Sequence, residues 1–220
     1  MAIIAFNSPK GGVSKTTTAI LLGAELALVH KQRVHLLDAD LNQHSAAFGV
    51  KATIESFTVT PDVTEANILK CLREAEQEAD VVLVDLPGAV QTLNLKALQR
   101  SDFVIIPCQP SLPDVRDAFK GMMQIEDAAE LAGADIPHAI LWTRVLPGFE
   151  SAPARHVRET VEKKGKTLFS TSMLERAAYR AIHLNGKVPR QIDPKSAATA
   201  NVAAVANEFL SILLASKRAA

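Results

Sequence analysis

The sequence predicts an α/β fold: a mostly parallel, twisted sheet with helices on both faces. Three observations carry that expectation. Short apolar runs alternate with helical patterns from Ile3 to Trp142, the order that builds right-handed β-α-β crossovers. Val81–Val84 is apolar throughout, as expected of a parallel strand covered on both faces. A Gly-rich turn lies directly between the first apolar run and the first helical pattern.

Taken in order, Ile3–Phe6 reads as a short buried strand. A helix follows from about Lys15 to His30, with Ile20, Leu21, Ala24 and Leu28 on one face. Strands are expected at Val34–Leu37 and Phe57–Val59, then a helix with a charged face at about Thr64–Glu78. Strand Val81–Val84, helix Leu93–Arg100, strand Phe103–Ile106, helix Asp114–Leu131 and strand His138–Trp142 continue the alternation. The last third is more helical, at roughly Ala152–Lys164, Met173–Leu184 and Ala197–Lys217. Val202, Val205, Phe209 and Ile212 share one face of the final helix. That face suits docking on the core better than a membrane surface, because the nearby cations, Lys217 and Arg218, lie at the helix end.

The 220 residues fit one domain, 1–220, with a core large enough to need no staple. With 48% hydrophobic and 22% charged residues, the composition excludes disordered and fibrous classes. Two cysteines, Cys71 and Cys108, without CxxC spacing, exclude a disulfide framework and a zinc knuckle. No apolar run reaches the roughly 18 residues of a membrane span, and Met1–Asn7 has no basic leader segment. A cytoplasmic protein is therefore expected. The zero net charge conceals an asymmetry. Residues 1–150 hold 12 basic and 19 acidic side chains, whereas residues 151–220 hold 12 and 5. A basic, mainly helical final third is either a solvated face or the footprint of an anionic partner.

The chemistry concentrates in Pro9-Lys10-Gly11-Gly12-Val13-Ser14-Lys15-Thr16-Thr17. Glycines let backbone amides curl towards phosphates, and the following helix N-terminus adds partial positive charge. Lys15 can reach β- and γ-phosphates, and the Thr16 hydroxyl can ligate Mg²⁺. Pro9 and Ser14 stand where the usual phosphate-loop pattern has glycines. Two further carboxylate sites end apolar runs: Asp38 and Asp40 after Val34–Leu37, and Asp85 after Val81–Val84. At the ends of parallel strands they would sit beside the phosphate loop, with Asp85 in Walker B form.

Lys10-Gly11-Gly12-Val13-Ser14-Lys15-Thr16 resembles the deviant Walker A motif, K-G-G-x-x-K-[ST], of the ParA/MinD family. Asp38-Ala39-Asp40 is similar to that family's D-x-D element, with Leu41 and Asn42 in place of Pro and Gln. Ser101–Pro107, Pro110–Asp114 and Leu141–Arg144 extend the resemblance over most of the chain, and the length is similar to that of the short plasmid-partition members. The resemblance implies a P-loop ATPase that binds ATP or ADP through residues 10–17, including Gly11, Gly12, Val13 and Thr17. It implies Mg²⁺ at Thr16, Asp38 and Asp85, and adenine near Thr143 and Arg144. Lys10, Lys15 and Asp40 would carry the chemistry: Lys10 acting on the partner's nucleotide in an ATP-dependent homodimer, Asp40 positioning the attacking water. Ser14, where most members have Gly, is expected to weaken nucleotide binding or slow hydrolysis.

Within the superfamily, the sequence lacks the C-terminal CxxC of the iron–sulfur scaffolds, a tyrosine cluster and a basic terminal membrane helix. The resemblance therefore implies a partition-type ATPase on the nucleoid. It would bind non-specific double-stranded DNA through the basic third, and a ParB-like or other cargo adaptor would stimulate it. No membrane role is expected. Arg155, Arg158, Lys163, Lys164, Lys166 and Lys195 contribute to that basic third, and Arg176, Arg180, Lys187 and Arg190 are the chosen DNA contacts. The alternative is a MinD-like switch that positions a protein compartment or acts at a membrane. A small-molecule synthetase fits less well, because Lys10 has no evident purpose there.

Overall fold

The computed structural model describes residues 1–88, 91–148, 151–163 and 167–219. The elements run β1 (Ala2–Phe6), α1 (Lys15–Leu28), β2 (Val34–Asp38), α2 (His44–Lys51), β3 (Phe57–Thr60), α3 (Ile68–Glu78), β4 (Val81–Asp85) and α4 (Gln91–Leu98). They continue as β5 (Phe103–Cys108), α5 (Leu112–Ala132), β6 (His138–Val145), α6 (Ala152–Lys163), β7 (Met173–Leu174), α7 (Ala177–Asn185), α8 (Pro189–Ile192) and α9 (Ala197–Ala219). Among the described residues, seven strands form one sheet in the order β3-β2-β4-β1-β5-β6-β7. Every pairing in it is parallel.

Strand pleating explains the two layers. Along β1, Ala2, Ile4 and Phe6 face a core shared with α1, α2, α7 and α9, while Ile3 and Ala5 face one shared with α3 to α6. α5 illustrates how sequence sets a helix. The Ser111 hydroxyl accepts from Asp114 N, Pro113 lies in the first turn, and Gly133 closes the helix at φ 66°. Ala197–Ser216 of α9 has a mean hydropathy of 1.4 and enough length to cross a membrane. Its Val202, Val205, Ala206 and Phe209 are nonetheless buried in the core layer that α1 builds.

Two expectations need correction. Met173–Leu174 is not the start of a helix but a strand on β6, and α7 begins at Ala177. The apolar pair Met173-Leu174 serves either reading, and pairing with an otherwise open sheet edge decides it. α3 also starts later than Thr64. The Asn67 side chain accepts from Thr64 N at 2.7 Å, which holds residues 64–67 in a turn before the helix. α2 is an additional helix. Lys164 and Lys166, expected in the helix end and the basic patch, lie outside the described residues.

Candidate functional site

The strand order places the site. β1 lies between β4 and β5, so the chain reverses its direction of travel across the sheet there and leaves a crevice at the strands' carboxyl ends. In register, Phe6 pairs with Asp85 and Asp38 pairs with Asp85. The phosphate loop and both buried carboxylates therefore meet at adjacent strand ends.

The loop folds as its composition requires. Gly12 has φ 78°, and Ser14, which caps α1, has φ 70° and ψ 29°. Both lie in the left-handed region, which accounts for the family's glycine at the second position. A residue with a Cβ costs about 1 kcal/mol there. Arg144, itself at φ 53°, donates from Nε to the Ser14 hydroxyl at 3.1 Å and so ties the strained residue to β6. Thr143 is fully buried and donates to the Val13 carbonyl at 3.0 Å. Thr143 thus braces the loop from behind, while Arg144 lines the cavity in front of it. Val13 is buried in the protein interior.

Lys15 is 7% exposed, and its Nζ donates to the Ser8 and Lys10 carbonyls, each at 3.2 Å. Burial lowers its pKa, opposed by the charges of Asp85 and Asp40. No acidic side chain lies in the first turn of α1, so the helix terminus faces the cavity as a field for anions. Lys10 points the other way and pairs with the buried Asp114 at 3.0 Å, where Ser111 also donates to that carboxylate.

The carboxylates are organised by α2. Ala46 N donates to Asp38 Oδ2 at 2.7 Å, and the Ser45 hydroxyl donates to Asp85 Oδ2 at 2.9 Å. Burial raises the Asp38 pKa. Burial also pushes Asp85 up to about 7, with the Thr16 hydroxyl pulling the other way and Asp38 adding to the rise. Asp85 Oδ1 is buried without a hydrogen-bond partner among the described residues. An orphaned carboxylate oxygen beside a threonine hydroxyl and a second acid is a hard oxygen donor set, and it fits Mg²⁺. Asp40 is half-buried. Its Oδ1 accepts from the backbone and side chain of Asn42, both at 2.9 Å.

Together the loop, Asp40, Leu41, Asn42, His44, Pro87, Gly88, Arg144 and His183 line a cavity of about 600 Å³. Ser45 and His44 escaped the sequence analysis because α2 is short and has no side-chain N-cap hydrogen bond to announce it, and His183 because the cavity it lines is built largely by elements other than its own helix. The buried pair Ser45 and Phe48, three apart, is the signal that points to its inner face.

The proposed DNA contacts separate into different environments. Arg180 is 76% exposed and pairs with Glu175, and Lys187 is exposed. Arg176 is half-buried, its Nε without a hydrogen-bond partner among the described residues. Arg190 is withdrawn from that role: it forms a two-pronged pair with Glu25 of α1, itself 3% exposed. Arg190→Ala would strand that carboxylate and is expected to cost about 3 kcal/mol of stability. Urea unfolding checks this; an unchanged midpoint would refute it.

Fold and site define a P-loop nucleotide-triphosphatase fold. A sequence profile of the VirC1 protein matches residues 1–214. Protein ParA of Rhizobium radiobacter is 31% identical over 184 residues, covering 83% of this chain and 82% of its own. Maintenance of carboxysome distribution protein A of Gloeobacter kilaueensis is 30% identical over 185 residues, covering 84% and 82%. In three dimensions, Cyanothece apo McdA superposes with a TM-score of 0.80 at 16% identity, over 95% of this chain and 99% of its own. The chain belongs to the VirC1 family, within the ParA/MinD group of ATPases.

Proposed function

We propose that this protein is an ATP-driven switch that positions a cargo on DNA. The single observation that carries the reading is the phosphate loop with two lysines in different settings: Lys15 folded into its centre, Lys10 on its outer side against Asp114. Lys15 and the loop amides would hold the phosphates. Asp38, Asp85 and Thr16 would hold Mg²⁺, which supplies charge neutralisation at the phosphates when bound. Asp40 would orient the attacking water. Released from Asp114, Lys10 would reach a second protomer's nucleotide, offsetting charge on the transferring phosphoryl group and making dimerisation depend on ATP. In support of the nucleotide, a McdA structure of this fold was solved with ATP and a MinD structure with Mg-ADP.

The dimer would bring two basic surfaces together, including Arg180 and Lys187 from each protomer. Doubling phosphate contacts strengthens a weak, salt-sensitive attachment to DNA. A cargo-bound adaptor would then stimulate hydrolysis and open the dimer. Plasmid DNA is one cargo. A protein compartment is the second reading, favoured by the similarity to the carboxysome-distribution protein.

Binding to non-specific duplex DNA with ATP, with ADP and without nucleotide, over a salt series, tests this. ATP-dependent binding is expected, and Arg180→Ala should reduce the log–log salt slope by about 2, one phosphate contact per protomer. ATP-dependent dimers that never bind DNA would overturn the DNA role and leave a MinD-like switch.

A further inference from the structure

α7 reaches across the phosphate-loop end of α1 to α2. Lys51 Nζ donates to the His183 carbonyl at 3.1 Å. Gly186, at φ 66°, lies so close to Lys51 that an added Cβ would come within 2.7 Å of its backbone. This docking sets the His44 and His183 rings edge to face, with centroids 6.0 Å apart. Both imidazoles line the same cavity as Lys15 and Thr17. No step proposed above uses either of them.

The electrostatics of the pair are specific. His183 is half-buried, and burial, His44 and Lys51 together hold its pKa below the usual histidine value. The charged groups around it are His44 and Lys51 on α2, Lys15 at the loop, Asp40 after β2 and Arg144 at the end of β6. Arg180 on its own helix is turned to solvent and paired with Glu175. With cations in the majority and water partly excluded, His183 carries little charge at neutral pH while the cavity is free of anions. A polyphosphate brings several negative charges into the same space and reverses that balance.

We propose that His183, with His44 beside it, is a nucleotide-contacting residue that takes up a proton from solvent as the phosphates enter, so that falling pH favours ATP capture. The inference rests on the nucleotide-binding reading above. A group that is neutral in the free state and protonated in the complex makes the association constant rise as pH falls, by at most about tenfold per pH unit for one proton. It would also couple α2, which anchors Asp38 and Asp85, to the α7 surface that bears Arg180.

Calorimetric titration of the full chain with Mg-ATP, at pH 7 in MOPS and in Tris, two buffers of different ionisation enthalpy, measures the proton uptake directly. Wild type should take up a substantial fraction of a proton beyond what His183→Gln takes up. The affinity of the wild type should rise about fivefold more than that of the variant between pH 8 and pH 6. Protonation of the nucleotide itself is common to both proteins and cancels. His44→Gln, which changes no residue of α7 but removes the ring beside His183, should reduce the uptake, because His44 no longer helps to hold the His183 pKa down in the free state, and it guards against a folding defect in the first variant. Equal uptake and equal pH dependence in wild type and both variants would overturn the proposal. So would uptake that accompanies DNA binding and not ATP binding. Failure of the wild type to bind ATP would instead overturn the nucleotide reading itself.

Discussion

Lys15→Ala is expected to weaken ATP binding by about 100-fold or more, the scale of removing a charge-assisted hydrogen bond from an enclosed phosphate site. The ammonium sits at the centre of the loop, 7% exposed, held by the Ser8 and Lys10 carbonyls. Those two bonds keep its long side chain ordered where an anion would arrive, so little rotamer entropy remains to be given up on binding. Alanine removes the cation and leaves the two carbonyl dipoles facing the phosphates, which adds repulsion to the absence of attraction. Lys15→Arg should not rescue binding. A planar guanidinium needs more space than the compact ammonium and directs its donors differently. Titration with a fluorescent ATP analogue checks both variants. Affinity retained within about threefold of wild type, less than 1 kcal/mol, would refute the assignment of Lys15 to the phosphates.

Much of this arrangement is legible in the sequence because its signals are local. The Gly-Gly and Lys-Thr spacing fixes the loop, and an acid at the end of an apolar strand fixes Asp38 and Asp85 at the crevice. What is not legible depends on distant partners. α2 is held by Phe48 in the core and by carboxylates from two other elements, so its eight residues carry little signal of their own. Met173–Leu174 is a strand only because β6 offers an edge. Arg190 reads as a surface cation in sequence, whereas in the fold Glu25, 165 positions away, lies beneath it. The functional difference is large: a cation at a DNA face and one neutralising a buried acid have the same local sequence character. His183 is likewise hidden, since the cavity it lines is built by α2 and β6 rather than by its own helix.

Asp85→Asn is expected to stabilise the protein at pH 8 in EDTA without nucleotide, while abolishing the effect of Mg²⁺. Asp38 and Asp85 are both fully buried and sit opposite each other in register. The Asp85 pKa is about 7 in the folded protein, against an ordinary value of 3.8. Below the ordinary value the group is protonated in both folded and unfolded chains and costs nothing. As pH rises towards 7, the unfolded chain gives up this proton first, so stability falls across that window, by up to about 4 kcal/mol for a shift of this size. Asparagine does not ionise and escapes the fall. Its carbonyl can still accept from Ser45, although its amide hydrogens lack acceptors, which returns about 1–3 kcal/mol. A net gain of about 1–3 kcal/mol should therefore appear at pH 8 and turn into a net loss near pH 4, where the ionisation penalty is nearly gone and the unpaired amide remains. In wild type, Mg-ATP would supply a countercharge and reverse the penalty; in the variant the neutral amide is a poor ligand, and Mg²⁺ should no longer tighten ATP binding. Thermal unfolding at the two pH values, with and without Mg-ATP, separates the effects. A variant less stable than wild type in EDTA at pH 8, or one that keeps Mg²⁺-dependent ATP affinity, would show that the buried carboxylates do not form a cation site.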